Sequence, residues 1–203
     1  MKRTKLLKTI LVVDIRSSSV IVEELIKIHK FVEWADFLES LQNYINDNAD
    51  NFDYELYKFT GDGWIIIFED DIRGKLFVDF IKRLSIHFHG LIKKIGDNYL
   101  HDNSIELGLT FGLDIGNLIG FPLANKYEYV GEPINIACRL QNKASQNNKN
   151  ESYKPYRGFI SKRVYRKIEN DLDDLDPKPK RVKLHNINDG RRFPCMLVTI
   201  PMN

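Results

Sequence analysis

Ile10-Leu11-Val12-Val13-Asp14-Ile15-Arg16-Ser17-Ser18-Ser19 and Lys58-Phe59-Thr60-Gly61-Asp62-Gly63-Trp64 are the two stretches that decide the fold. In the first, four β-prone apolar residues read as a short strand covered on both faces, ending at Asp14. In the second, residues 54–60 and 64–68 are β-prone and flank Gly61-Asp62-Gly63, which predicts a hairpin with Asp62 at its tip. A β-α-β-β order brings the first strand beside such a hairpin, and Asp14 beside Asp62.

Between these stretches, Leu25, Ile28, Val32, Ala35, Leu38, Leu41 and Ile45 recur at three- and four-residue steps. The spacing predicts one core-facing helix of about six turns starting near Glu23. A second helix carries Phe77, Phe80, Ile81, Leu84, Phe88, Leu91, Ile92 and Ile95 on one side. Residues 105–113 alternate small and large around glycines, predicting a central strand that another element approaches closely, with Gly116 and Gly120 marking its exit. Gly131-Glu132-Pro133 opens a helix running to about Ala144, with proline in its first turn. Residues 145–157 read as a loop, Ser161 as the N-cap of a short helix to Ile168, and 171–180 as a solvated connector. Arg181–Leu184 and Cys195–Ile200 close the sheet as a hairpin around Asn188-Asp189-Gly190. There is no internal repeat, and residues 1–203 read as one domain.

Composition narrows the function classes. At 203 residues and 43% apolar, the chain can bury one substantial core and is short for two catalytic domains. Thirty basic against 28 acidic residues leave a net charge of +2, so no uniform field grips nucleic acid or an anionic membrane. Two cysteines, Cys138 and Cys195, suit a reducing cytoplasm. The basic opening imitates a secretory leader, but Lys8 interrupts the apolar stretch and Asp14 ends it. No run approaches the roughly 20 residues of a membrane span. The expectation is a cytoplasmic protein without a nucleic-acid or membrane partner.

Two strand-end carboxylates with no His or Cys nearby suit a hard cation, Mg²⁺ or Mn²⁺, which leaves positions for water and substrate phosphates. Taken singly, Asp62 also reads as a hairpin turn and Asp14 as a strand cap. Arg16, Ser17, Ser18 and Ser19 precede a helix, where backbone N–H groups and hydroxyls surround a triphosphate; serines there also simply cap helices. Asn135 and Arg139, four apart, share a helix face opposite Ile134, Ala137 and Cys138. An amide and a guanidinium so placed orient a ribose and neutralise a phosphoryl transition state, or form an ordinary polar face.

The ordered set Val13-Asp14-Ile15, Lys58-Phe59-Thr60-Gly61-Asp62-Gly63, Gly112-Leu113-Asp114-Ile115-Gly116 and Val130-Gly131-Glu132-Pro133-Ile134-Asn135-Ile136-Ala137-Cys138-Arg139-Leu140 resembles the class III nucleotidyl cyclase catalytic domain over roughly residues 8–200. The resemblance implies an α+β fold with a ferredoxin-like βαββαβ core, an antiparallel-rich sheet and flanking helices. It implies a head-to-tail homodimer with composite active sites. Asp14 and Asp62 match the family's two metal-binding aspartates, with the Ile15 carbonyl as a further ligand for two divalent ions, Mn²⁺ or Mg²⁺. Asn135 and Arg139 match the ribose-orienting asparagine and transition-state arginine of the other subunit, and Lys58 and Glu128 its base-recognition pair.

The chain departs from the family pattern in three places. Ser17-Ser18-Ser19 stands where Gly-Phe-Thr or Gly-Ser-Thr is usual, Asp114 where His is usual, and Asn117 where an Arg is usual. A triphosphate contact is then supplied elsewhere, with Arg16, Lys183 or Arg191 as candidates. Lys58 with Glu128 matches neither the adenine nor the guanine pair. The longer acid, the compact architecture and the Ile-Asn-Ile-Ala-Cys-Arg-Leu-Gln run look like the pyrimidine cyclases of the bacterial anti-phage Pycsar system. Those use UTP or CTP, and a separately encoded effector senses the product. Tyr57 is a bulky residue that shortens the pocket for a smaller base, although a regular strand points it away from Lys58. The alternatives are an adenylate cyclase, a cyclase-like module that binds nucleotide without turnover, and a ferredoxin-like nucleic-acid binder, which the charge balance disfavours.

Overall fold

A computed structural model describes residues 4–69, 73–100, 105–146, 154–187 and 192–202. In chain order its elements are β1 (Thr4–Arg16), α1 (Ser18–Lys27), α2 (Phe31–Asp47), α3 (Ala49–Phe52), β2 (Tyr54–Phe59), β3 (Gly63–Phe68), α4 (Gly74–Tyr99), β4 (Gly108–Leu123), β5 (Lys126–Val130), α5 (Glu132–Ser145), β6 (Tyr156–Ser161), α6 (Lys162–Ile168), β7 (Lys178–Lys183) and β8 (Arg192–Thr199). The strands form one sheet in the order β2-β3-β1-β4-β6-β8-β7, with β5 added to β4. Only β4 and β6 pair in parallel. The β2-β3-β1-β4 portion, connected by helices, is the expected βαββαβ core.

Strand alternation assigns the two faces. Leu11, Val13 and Ile15 of β1 join Trp64, Ile66 and Phe68 of β3 under α1, α2, α4 and α6, the main core. Ile10 and Val12 point the other way, toward Ile65, Ile67 and Ala137 of α5. Gly112 is where α5 meets β4: an added Cβ there would lie 2.0 Å from the Ala137 carbonyl oxygen and 2.4 Å from the Gln141 nitrogen. The close approach expected at residues 105–113 is therefore a helix backbone resting on a strand backbone.

Several expectations need correction. Asp14 does not end β1, which starts at Thr4 and continues to Arg16. The six-turn helix is two helices, separated by a Schellman turn: Lys30 N–H donates to the Leu25 carbonyl, His29 N–H to that of Ile26, and His29 takes φ 57°. The break rephases the stripe. Val32 is 69% exposed and Ile28 36%, while Ile21, Leu25, Trp34, Phe37, Leu41 and Ile45 are buried. Trp34 and Phe37 carry far more apolar area than the residues they displace, so their burial sets the phase.

β5 and β6 lie in stretches read as unassigned or loop. The 171–180 connector is anchored rather than solvated, because Leu172 and Leu175 are fully buried. The closing hairpin exists as β7 and β8, and its turn at Asn188-Asp189-Gly190 lies outside the described residues. Ser161 caps α6 as expected, its hydroxyl accepting from Val164 N–H.

Gly112→Ala should cost about 2 kcal/mol of unfolding free energy in urea titration, because the methyl must push α5 off the sheet. Gly90→Ala, in α4 with nothing within 4 Å of an added Cβ, should instead gain up to about 1 kcal/mol.

Candidate active site

Asp14 sits opposite Gly63 of β3 and Thr110 of β4. Gly63 makes room for it, since an added Cβ would lie 3.0 Å from Asp14 Oδ1 and 2.4 Å from the Val13 carbonyl oxygen. The hairpin tip is held against β1 by the Ile15 N–H, which donates to the Asp62 carbonyl at 3.1 Å. Asp62 thereby stands beside Asp14, as the two sequence stretches suggested. Ser18 Oγ donates to Asp62 Oδ2 at 2.5 Å. Gln141 Nε2, from α5, donates to Asp14 Oδ2 at 3.0 Å and to Thr110 Oγ1 at 2.8 Å.

The electrostatics follow from this crowding. Burial, reinforced by the Asp62 charge and a hydrogen bond between the carboxyls, raises the Asp14 pKa to about 7, and the Gln141 hydrogen bond opposes the rise only partly. Near neutral pH Asp14 therefore still holds a proton in part of the molecules. Two adjacent carboxylates are an oxygen donor set, which fits a hard divalent ion in place of that proton. Among the described residues no cluster of three or more His, Cys, Asp or Glu side chains offers an alternative.

Ser17, where the family pattern has glycine, adopts φ 58° and serves as N-cap of α1 without a side-chain cap. Its hydroxyl donates instead to the Glu106 carbonyl at 3.0 Å. The left-handed turn is thus kept without glycine, and the first turn of α1, with its free N–H donors, begins beside Asp62. Ser19 is exposed. Arg16 is buried, with its guanidinium bonded to Glu106 at 2.9 Å.

A second cluster lies on β2 and β5. The register shifts between Leu56 and Lys58, a β-bulge, so the strand is not regular at Tyr57. Both side chains consequently reach one carboxylate: Tyr57 Oη donates to Glu128 Oε2 at 2.5 Å and Lys58 Nζ to the same oxygen at 3.3 Å. These two donors hold the Glu128 carboxyl below its ordinary range, and burial with Glu128 pushes the Tyr57 phenol up. The Tyr57 ring meets Tyr129 edge-on at 5.2 Å.

Asn135 and Arg139 share a face of α5, and Arg139 Nη1 donates to the Asn135 carbonyl at 3.1 Å. Among the described residues no hydrogen bond or ion pair joins either to Asp14 or Asp62. Asp114 is fully buried and gripped by Arg163, whose Nε donates to it at 2.7 Å and whose Nη2 forms a second bond. Lys183 lines a cavity of about 320 Å³ together with Lys143, Arg157, Lys180, Arg181 and Arg192. Arg191 lies outside the described residues. The sequence reading missed Arg163 and Gln141; a glutamine on the buried side of an otherwise apolar helix face was the available signal for the latter.

No family model and no curated protein matches this sequence. Solved structures do match in fold. The adenylyl cyclase CyaB from P. aeruginosa superimposes with a TM-score of 0.72 at 18% identity, covering 100% of this chain and 97% of that one. The guanylyl cyclase Cya2 gives 0.72 at 15% identity over 98% and 94% of the two chains. The guanylate cyclase domain of RhGC from Catenaria anguillulae, solved with GTP, gives 0.64 at 15% identity over 100% of both. The fold is that of adenylyl and guanylyl cyclase catalytic domains.

The raised Asp14 pKa has a signed consequence for stability. Between its ordinary value of 3.8 and about 7 the folded state holds a proton that the unfolded state has released, so without metal, stability falls as pH rises through this window. Urea unfolding in EDTA at pH 5 and pH 8 should show a loss of up to about 2.5 kcal/mol from this group, and Asp14→Asn should remove it.

Proposed function

We propose that the protein is a homodimeric nucleotidyl cyclase that converts UTP or CTP into the 3′,5′-cyclic monophosphate and pyrophosphate. The observation that carries this reading is the contact between Asp14 and Asp62 on a sheet that follows cyclase catalytic domains from end to end. In the reaction the ribose 3′-oxygen bonds to the α-phosphorus, the bond from that phosphorus to the β-phosphate oxygen breaks, and the 3′-hydroxyl proton leaves to solvent. Asp14, Asp62 and the Ile15 carbonyl would hold two divalent ions, Mn²⁺ or Mg²⁺, which would supply acidification of the hydroxyl and charge neutralisation on the phosphates. The chain's own groups supply position. Ser18 and the first turn of α1 receive phosphate oxygens, Asn135 orients the ribose, and Arg139 meets the charge that develops at phosphorus.

Asn135 and Arg139 serve the site of the other protomer, which is consistent with their lack of any bond to Asp14 or Asp62. Exposed apolar side chains on and around the β4–β5 hairpin support a second copy as the cover: Phe59, Ile119, Leu123, Tyr127 and Val130 are each 44–59% exposed. Pyrimidine preference rests on the β2 bulge. Tyr57 and Lys58 converge on Glu128 and fill depth that the second ring of a purine requires, while the Lys58 side chain remains 51% exposed to meet a pyrimidine carbonyl. By its likeness to anti-phage pyrimidine cyclases, the product acts as a second messenger read by a separate effector protein.

Purified protein with Mn²⁺ and each of the four triphosphates tests the reading. UTP or CTP should show the highest kcat/KM; a clear preference for ATP overturns the base assignment and leaves the cyclase chemistry standing. Tyr57→Ala should narrow the pyrimidine preference at least tenfold by admitting ATP. Asp14→Ala or Asp62→Ala should abolish turnover. Mixing Asp62→Ala with Arg139→Ala chains should restore activity, because each heterodimer holds one intact composite site; persistent inactivity despite subunit exchange overturns the shared site.

A further inference from the structure

Gln141 is 4% exposed in the middle of α5, on the side that rests on the sheet. Its Nε2 donates to two partners on adjacent strands, Asp14 Oδ2 at 3.0 Å on β1 and Thr110 Oγ1 at 2.8 Å on β4. Thr110 Oγ1 in turn donates to the Asp14 carbonyl at 3.4 Å, so the three residues form a closed, partly buried network. Asp14 Oδ2 is thereby committed, and Oδ1 is the oxygen turned toward Gly63 beside the hairpin tip. A buried amide that donates twice cannot rotate without leaving at least one acceptor unpaired. Asp14 is therefore held in one rotamer before anything binds.

The same helix carries Asn135 and Arg139 on its outer side. In a composite dimer those two residues act in one site while Asp14 acts in the other, so the bond from Gln141 to Asp14 is a direct mechanical link between the two sites within one protomer. Resting on the cyclase reading above, we infer that Gln141 is a positioning residue that aims Asp14 Oδ1 at the divalent ion and fixes the height of α5, thereby coupling the metal end of one composite site to the ribose end of the other. Partners of this kind, which orient a ligand without touching the ion, typically change metal affinity 10- to 100-fold when removed.

The test is Mn²⁺ binding to the nucleotide-free protein, followed by the electron paramagnetic resonance signal of free Mn²⁺, alongside melting temperature in EDTA. Gln141→Met keeps the length of the side chain and removes both donors; its Mn²⁺ Kd should rise at least tenfold, and raising Mn²⁺ should recover most of the kcat for UTP. Thr110→Val, a smaller perturbation that keeps the fold testable if the methionine variant is unstable, should weaken Mn²⁺ binding in the same direction by a lesser factor. Wild-type Mn²⁺ affinity in both variants, with Asp62→Ala defective, overturns the positioning role and leaves the metal reading intact. Wild-type affinity in Asp14→Ala and Asp62→Ala overturns the metal reading and this inference together.

Discussion

The site depends on the crossing of α5 over β4 at Gly112. Because no side chain separates them, the Ala137 carbonyl and the Gln141 amide nitrogen lie against the strand backbone. That contact fixes the helix in all three directions at once. One turn along α5 brings Gln141 over Thr110 and Asp14, and the outward face of the same turn carries Arg139. A helix held off by an ordinary side chain would reach neither Asp14 nor the surface at the same height.

The sheet face beneath α5 carries two aspartates under opposite terms. Asp114 is matched by a bidentate arginine, so its charge is settled inside the fold and it is structural. Asp14 has only an amide, a threonine neighbour and a second acid, which raises its proton affinity instead. A half-buried carboxylate with no cation of its own is a place where an external cation is welcome. The difference between the two positions is thus one of supplied counter-charge.

Much of this was legible in the sequence wherever a signal was local. Gly61-Asp62-Gly63 marked its hairpin, Gly131 and Pro133 marked the start of α5, and the Ser161 hydroxyl capped its helix as its position implied. What escaped required tertiary context. His29 ends α1 in a left-handed conformation without the glycine that usually announces one, so the apolar stripe seemed continuous through the break. The β2 bulge leaves no mark in Tyr57-Lys58, yet it turns two neighbours toward one carboxylate. Asp114 signalled only a departure from a pattern, because its partner Arg163 lies on a different element. Serine at position 17 looked like a loss of glycine, and the chain keeps the left-handed turn regardless.

The position of β1 governs how the chain comes to be folded at all. As the central strand it pairs on one side with β3 and on the other with β4, where Arg16 meets Gly108 and Thr4 meets Gly120. Its second neighbour is therefore made roughly a hundred residues later, several seconds of ribosomal synthesis at about 5–20 residues per second. Through that interval the Ile10–Val13 run has one edge without a strand beside it and the face destined for α5 uncovered. High sequence separation of this kind slows folding and leaves a β-prone segment open to wrong partners until β4 arrives to close its second edge.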